Sequence, residues 1–132
     1  MESLPAMLRL VRQQAGDASD AVVLRVETAL EELLTNTVVH GHSEQVPASE
    51  VWIGVTAQGG GLRLCYEDAL AAFDPDLKIR EALHRTANPL DQRPLGGLGL
   101  LMVYRLADEF AYVREDGRNR MVLSFQVRPV MS

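Results

Sequence analysis

Two polar residues four positions apart, Glu32 and Asn36, are the first candidates for chemistry in this sequence. On a helix, side chains at this spacing lie one turn apart on the same face. A carboxylate there can accept a proton from a hydroxyl as a general base, and an amide oxygen is a hard ligand that suits Mg²⁺. Taken alone, the same pair is also typical of a solvated helix face.

Asp68 is a second candidate because it directly follows Leu62 to Glu67, where alternating apolar residues predict a strand. An acidic residue at a strand end, facing a long loop, can accept a hydrogen bond from an exocyclic amine such as that of adenine. The same residue could instead open the loop by accepting a hydrogen bond from its own backbone. Both interpretations remain open on this residue alone.

A glycine-rich loop is the third candidate. Gly96, Gly97 and Gly99 fall within four residues, just after Pro94 and just before an apolar helical pattern. Glycines let the backbone approach a ligand closely, and a helix start offers N–H groups and a partial positive charge that suit phosphate. The loop matches neither the Rossmann fingerprint nor the P-loop, since no strand leads directly into it and no lysine follows. A phosphate-binding loop and a flexible hinge are the two interpretations.

The apolar pattern predicts the elements that must position these residues. A helical period predicts a short first helix that ends at Gly16 and a long second helix, Asp20 to Val39, that ends at Gly41. Further along, the patterns predict two hairpins, Val51–Tyr66 and Phe110–Val127, a short helix, Asp76–His84, and a helix from Gly96 to about Ala107. This order predicts an α+β fold, a two-layer sandwich in a single domain, 1–132, with a lid loop at about 69–95.

Composition and charge narrow the function classes. The chain has 132 residues, of which 47% are hydrophobic and 23% charged, and these values are typical of one globular domain. The net charge is −5 and no two basic residues are adjacent, so we expect no nucleic-acid partner. Cys65 is the only cysteine, which excludes a disulfide within the chain. With neither a signal peptide nor a membrane span in the pattern, the expected location is cytoplasmic.

Four segments carry a family resemblance that covers about residues 4 to 127. They read EELLTNTVVHG (31–41), YEDALAAFDP (66–75), RPLGGLGLLMVYRLADEF (93–110) and YVREDGRNRMVLSF (112–125). In this order the sequence resembles the histidine kinase-like ATPases, the GHKL or Bergerat-fold superfamily. Within that superfamily it looks like the anti-sigma-factor serine kinases.

The resemblance implies a fold, two cofactors and a set of residue roles. The implied fold is a mixed, mostly antiparallel sheet with helices packed on one face, and the implied cofactors are ATP and Mg²⁺. Glu32 matches the acid that activates the attacking hydroxyl, Asn36 the Mg²⁺ ligand and Asp68 the residue that reads adenine. The residues implied at the phosphates are Gly96, Gly97, Leu98 and Gly99, and the arginine nearest the lid that could add positive charge is Arg93.

The implied function is transfer of the ATP γ-phosphoryl group to a serine of a STAS-type antagonist. In such a partner-switching system the domain binds either a sigma factor or the antagonist, and the family favours a homodimer. One departure bears on this function: the family pattern Asp-x-Gly reads Asp68-Ala69-Leu70 here. An alternative is therefore a non-catalytic binding module of the same fold whose ATP binding is weak or lost. A third and remoter interpretation is a plain structural domain.

Overall fold

The chain is built from two successive blocks, each of two helices followed by two strands. The computed structural model describes residues 3–43, 50–72, 75–86 and 98–127. Its elements, in chain order, are α1 (Ser3–Gln14), α2 (Asp20–Ser43), β1 (Val51–Gln58), β2 (Gly61–Asp68), α3 (Pro75–Thr86), α4 (Leu98–Leu106), β3 (Glu109–Glu115) and β4 (Arg118–Phe125).

The two N-terminal helices begin and end where local chemistry places the boundary. Gly16 has a positive φ of 58° just after α1, a conformation that glycine adopts without the strain other residues incur. The Ser19 hydroxyl then accepts a hydrogen bond from the N–H of Val22 at 3.3 Å and so caps α2. The prediction that Gly41 ends α2 is wrong, since the helix continues to Ser43. Glycine costs about 1 kcal/mol in a helix interior, but it does not forbid the helix.

The four strands form one sheet in the order β1-β2-β4-β3. All three pairings are antiparallel, so the mixed sheet implied by the resemblance is, over the described strands, antiparallel throughout. The β1–β2 turn at Gly59-Gly60 and the β3–β4 turn at Asp116-Gly117 each place two residues at positive φ. Turns of this kind match the right-handed twist of the strands they join. The predicted α+β fold is confirmed.

One face of the sheet forms the core together with the helices. Leu64 and Tyr66 of β2 and Leu123 of β4 are fully buried there, and α2 lies against both strands. α4 packs on α2, and α3 packs on α4. Because successive strand residues point to opposite faces, Arg63, Cys65 and Glu67 of β2 lie on the other face. That outer face carries an open depression of about 510 Å³ that includes Cys65.

A single arginine of α2 holds three backbone segments together. The Arg25 guanidinium donates to the carbonyl of Leu106, the last residue of α4, from two nitrogens at 2.6 and 3.1 Å. It also donates to the carbonyl of Gln126 at 2.7 Å and to the Asp108 carboxylate at 3.0 Å. The same carboxylate accepts the N–H of Gln126 at 2.6 Å. Arg25 therefore fixes the end of α4 and the end of the last strand relative to α2.

Candidate functional site

Glu32 and Asn36 lie on α2, the helix that packs against α4 and β2. Both side chains are half-buried. Within the described residues, no hydrogen bond or ion pair engages the Glu32 carboxylate or the Asn36 amide. A half-buried polar group without a protein partner is available to a ligand, because its hydrogen-bonding capacity is not already used. The two predicted residues therefore lie one helical turn apart, and neither side chain forms a hydrogen bond within the described residues.

Glu32 meets the first turn of α4. One carboxylate oxygen, Oε2, lies 2.8 Å from the point that a Cβ atom on Gly99 would occupy. The predicted general base and the last glycine of the predicted phosphate loop are therefore in direct contact. Since the first turn of a helix carries unpaired N–H groups and partial positive charge, a carboxylate is favourable there. α2 and α4 thus bring two of the predicted site elements together.

Asp68 ends β2 and is held by donors from three different segments. Its side chain is buried, with 2% exposed. Oδ2 accepts a hydrogen bond from the Thr37 hydroxyl at 2.9 Å. Oδ1 accepts from the N–H of Leu70 at 3.2 Å and from the Asn119 amide at 2.8 Å. A carboxylate offers about four acceptor positions, so these three bonds leave one of them unused by the described residues.

Tyr66 extends the buried polar cluster toward α2. Its hydroxyl lies 2.7 Å from the Thr37 hydroxyl oxygen and donates to the carbonyl of Leu33 at 3.2 Å. Burial raises the pKa of Tyr66 well above its ordinary value; Thr37 lowers it and nearby Asp68 raises it, each by less. Tyr66 therefore stays neutral as an interior hydrogen-bonding group, and it ties the backbone of α2 to the strand that carries Asp68.

The segment after Asp68 is fastened to the β3–β4 hairpin. The Asn119 amide donates to the carbonyls of Leu70 and Ala71 at 3.2 and 3.1 Å. Arg114 donates to the Leu70 carbonyl at 2.6 Å and to Asn119 Oδ1 at 3.2 Å. Asn119 is itself fully buried. The start of the predicted lid is therefore fixed by side chains that lie more than 40 residues further along the chain.

The residue that departs from the family pattern, Leu70, is accommodated by the backbone. Among the described residues other than glycine, Asp116 alone has a positive φ, so Leu70 adopts an ordinary conformation. Its side chain is buried, with 6% exposed. The glycine of the Asp-x-Gly pattern is thus not required here by backbone geometry.

Several predicted residues lie at the edge of the described structure or outside it. Arg93, Gly96 and Gly97 are outside the described residues, and so are residues 73–74 and 87–95 of the predicted lid. Leu98 is the first residue of α4, and its side chain is not among those described. For Arg93 and the first two loop glycines, the roles implied by the resemblance stay predictions.

Sequence reasoning missed the three residues that surround Asp68, namely Thr37, Tyr66 and Asn119. Thr37 directly follows Asn36, and a threonine on the buried side of a helix needs a polar partner. The alternating pattern predicts Tyr66 only as a strand residue, although a buried tyrosine hydroxyl also needs a partner. Asn119 gave no signal of its own, because its partners come from β2 and the lid start, about 50 residues away in sequence.

Comparison with known families decides the assignment. The family model of the histidine kinase-like ATPase domain matches residues 1–125. The chain belongs to this family. No curated protein matches the sequence. Membership of the histidine kinase-like ATPases implies an ATP-binding regulatory domain, and the α+β architecture is consistent with that family.

The described part of this histidine kinase-like ATPase domain contains neither a metal-binding cluster of side chains nor a membrane-spanning helix. Over residues 3–43, 50–72, 75–86 and 98–127, no three His, Cys, Asp or Glu side chains cluster so as to hold a metal ion. A Mg²⁺ ion bound through Asn36 would then take its other ligands from phosphates and water, which is its usual preference. Within the same ranges, none of the helices combines the length and the apolar character that crossing a membrane requires.

Proposed function

We propose that this domain is an ATP-dependent serine-protein kinase that acts as an anti-sigma factor and phosphorylates a STAS-type antagonist. The observation that supports it most is the half-buried pair Glu32 and Asn36, which makes no hydrogen bond within the described residues, with the Glu32 carboxylate against the start of α4. The partners would be the antagonist and a sigma factor, and the active form a homodimer, as the resemblance implies. The expected location, from the sequence pattern, is the cytoplasm.

Each residue of the site has a part in the proposed reaction. Asn36 would hold Mg²⁺ through its amide oxygen, and Mg²⁺ supplies neutralisation of phosphate charge. Asp68 would accept the exocyclic amine of adenine at its remaining acceptor position. The acceptor serine oxygen forms a bond to the γ-phosphorus as the bond to the β–γ bridging oxygen breaks. Glu32 takes the hydroxyl proton, and ADP leaves.

Nucleotide binding is tested first, by thermal unfolding with Mg-ATP and with Mg-GTP. We expect Mg-ATP to stabilise the fold by about 2.7 kcal/mol at 100 times its Kd. Mg-GTP should stabilise it much less, because guanine presents a carbonyl where adenine presents an amine. Absence of stabilisation by either nucleotide would favour the alternative, a non-catalytic binding module.

The role of Glu32 is tested by Glu32→Gln, with Glu31→Gln as the matched control. Glu31 is the preceding residue of α2, and its side chain is exposed. We expect Glu32→Gln to bind Mg-ATP like the unmodified protein and to lose transfer of label from [γ-³²P]ATP to serine of a STAS-domain protein from the same organism. Glu31→Gln should keep both properties. Loss of binding and transfer together in Glu32→Gln would contradict the base role.

The role of Asn36 is tested by Asn36→Ala, with Thr35→Ala as the control on the exposed face of α2. We expect Asn36→Ala to remove most of the difference in ATP affinity between Mg²⁺ and EDTA conditions. An unchanged Mg²⁺ requirement would count against Asn36 as a ligand.

The two candidate functions also differ in what Leu70 does. If Leu70 accounts for lost ATP binding, Leu70→Gly will restore it. If the domain is the proposed kinase, Leu70→Gly will leave ATP affinity unchanged or weaken it, because removal of a buried leucine side chain also loosens the fold.

A further inference from the structure

Gly99, like Gly54 and Gly61, lacks the positive φ that accounts for four other described glycines. Gly16, Gly59, Gly60 and Gly117 have positive φ values, which disfavour any other residue. Gly99 does not; it lies in regular helix near the start of α4, where alanine would be the better residue by intrinsic propensity. A conformational requirement therefore does not explain Gly99.

The space beside Gly99 is taken by Glu32. A Cβ atom at residue 99 would stand 2.8 Å from Glu32 Oε2 and 3.9 Å from Glu32 Cβ and Cδ. The first of these separations is too close for a carbon and a non-bonded oxygen, whereas the other two are ordinary contacts. Only the carboxylate end of Glu32 conflicts, and that end can rotate. A side chain at residue 99 would thus displace the carboxylate and leave the helix packing in place.

α4 also lacks a negative charge of its own at this end. Its first turn contains no acidic residue. The carboxylate of Glu32, from α2, lies against this turn, where the helix dipole favours an anion. The position beside Gly99 therefore stabilises the negative charge of Glu32, and the missing side chain of Gly99 leaves room for the carboxylate.

We propose that Gly99 is a positioning residue for Glu32: its missing side chain makes the room in which the carboxylate is held against the first turn of α4. The resemblance places Gly99 at the phosphates, whereas the contact in the structure is with the proposed base. This inference rests on the proposed function for its catalytic consequence, but the contact between Gly99 and Glu32 can be tested without it.

The catalytic consequence is tested with Gly99→Ala, and Gly54→Ala serves as the matched control. Gly54 lies in β1 without positive φ, and a Cβ there meets nothing within 4 Å. We expect Gly99→Ala to lower the turnover of Mg-ATP roughly tenfold to a hundredfold, because a displaced base loses its alignment. The Kd for Mg-ATP should stay within about threefold, the pattern of a lost transition-state interaction. Gly54→Ala should match the unmodified protein in both.

The contact itself is tested by a thermal-unfolding cycle in the absence of nucleotide, using Gly99→Ala with and without Glu32→Ala. Where Glu32 has been truncated, we expect Gly99→Ala to raise the Tm by roughly 2–4 °C, as alanine replaces glycine in a helix. Where Glu32 is intact, that rise should be absent or reversed, because the new methyl group displaces the carboxylate.

Each outcome decides a separate point. Equal effects of Gly99→Ala on Tm in the two backgrounds would overturn the proposed contact, whatever the nucleotide results. A coupled Tm cycle with unchanged turnover would overturn the positioning role. If the unmodified protein neither binds nor turns over Mg-ATP, the proposed kinase function fails, and the Tm cycle alone decides whether Gly99 positions Glu32.

Discussion

Asn119→Ala should be among the most destabilising single substitutions in the described structure. The Asn119 amide donates to the Asp68 carboxylate at 2.8 Å and to two backbone carbonyls, those of Leu70 and Ala71. Loss of a buried hydrogen bond to a charged group costs about 1.5–3 kcal/mol, and loss of a neutral one about 1 kcal/mol. The amide nitrogen carries only two hydrogens, so we count one bond to the carboxylate and one shared between the two carbonyls. We therefore expect the free energy of unfolding to fall by about 2.5–4 kcal/mol.

Urea denaturation measures this loss, as a lower midpoint with an unchanged m-value. Tyr112→Phe is the graded control. Its hydroxyl donates to Asn119 Oδ1 at 2.5 Å, and Arg114 still donates to the same oxygen when the hydroxyl is removed. We expect Tyr112→Phe to lower the free energy of unfolding by about 1 kcal/mol. If Asn119→Ala costs no more than Tyr112→Phe, then Asn119 does not hold the Asp68 carboxylate as argued.

Three further predictions concern other groups. Arg25→Lys keeps the charge but cannot reproduce the two-nitrogen contact with the Leu106 carbonyl. Urea denaturation should therefore show a free energy of unfolding that is lower by about 1–2 kcal/mol. Burial raises the pKa of Tyr66, so the stability that its neutral hydroxyl contributes is complete below about pH 10 and is lost as pH rises above that value. In unfolding measured as a function of pH, the free energy of unfolding of Tyr66→Phe should therefore fall less at alkaline pH than that of the unmodified protein. Burial also raises the pKa of the Cys65 thiol, so iodoacetamide should alkylate it more slowly than free cysteine at pH 8, with a rate that rises with pH.

The order and type of the elements were predictable because each depends on residues close together in sequence. The 3.6-residue apolar period gave α2, and the glycine pair at 59 and 60 between alternating strands gave the first hairpin. The end of α2 lies two residues beyond the predicted Gly41, since one unfavourable glycine does not forbid a helix. The local sequence pattern thus predicts which helices and strands exist better than it predicts the residues at which they end.

The candidate site was predictable only in part, for a related reason. The spacing of Glu32 and Asn36 is a local feature of one helix, so their shared face followed from the sequence. The surroundings of Asp68 depend on which strands are neighbours. β4 pairs with β2, and this register sets Asn119 opposite Asp68. No local pattern contains that pairing, so Asn119 could not be assigned a role from the sequence.

Leu70, which stands where the family pattern has glycine, is held through its backbone carbonyl. A glycine in this place allows a tight turn, but the turn after Asp68 is instead fixed by hydrogen bonds from Asn119 and Arg114 to the Leu70 carbonyl. Because the same Asn119 amide also donates to the Asp68 carboxylate, this one side chain is a hydrogen-bond partner of both the carboxylate and the start of the lid. A change in the β3–β4 hairpin would therefore reach Asp68 and the lid start together.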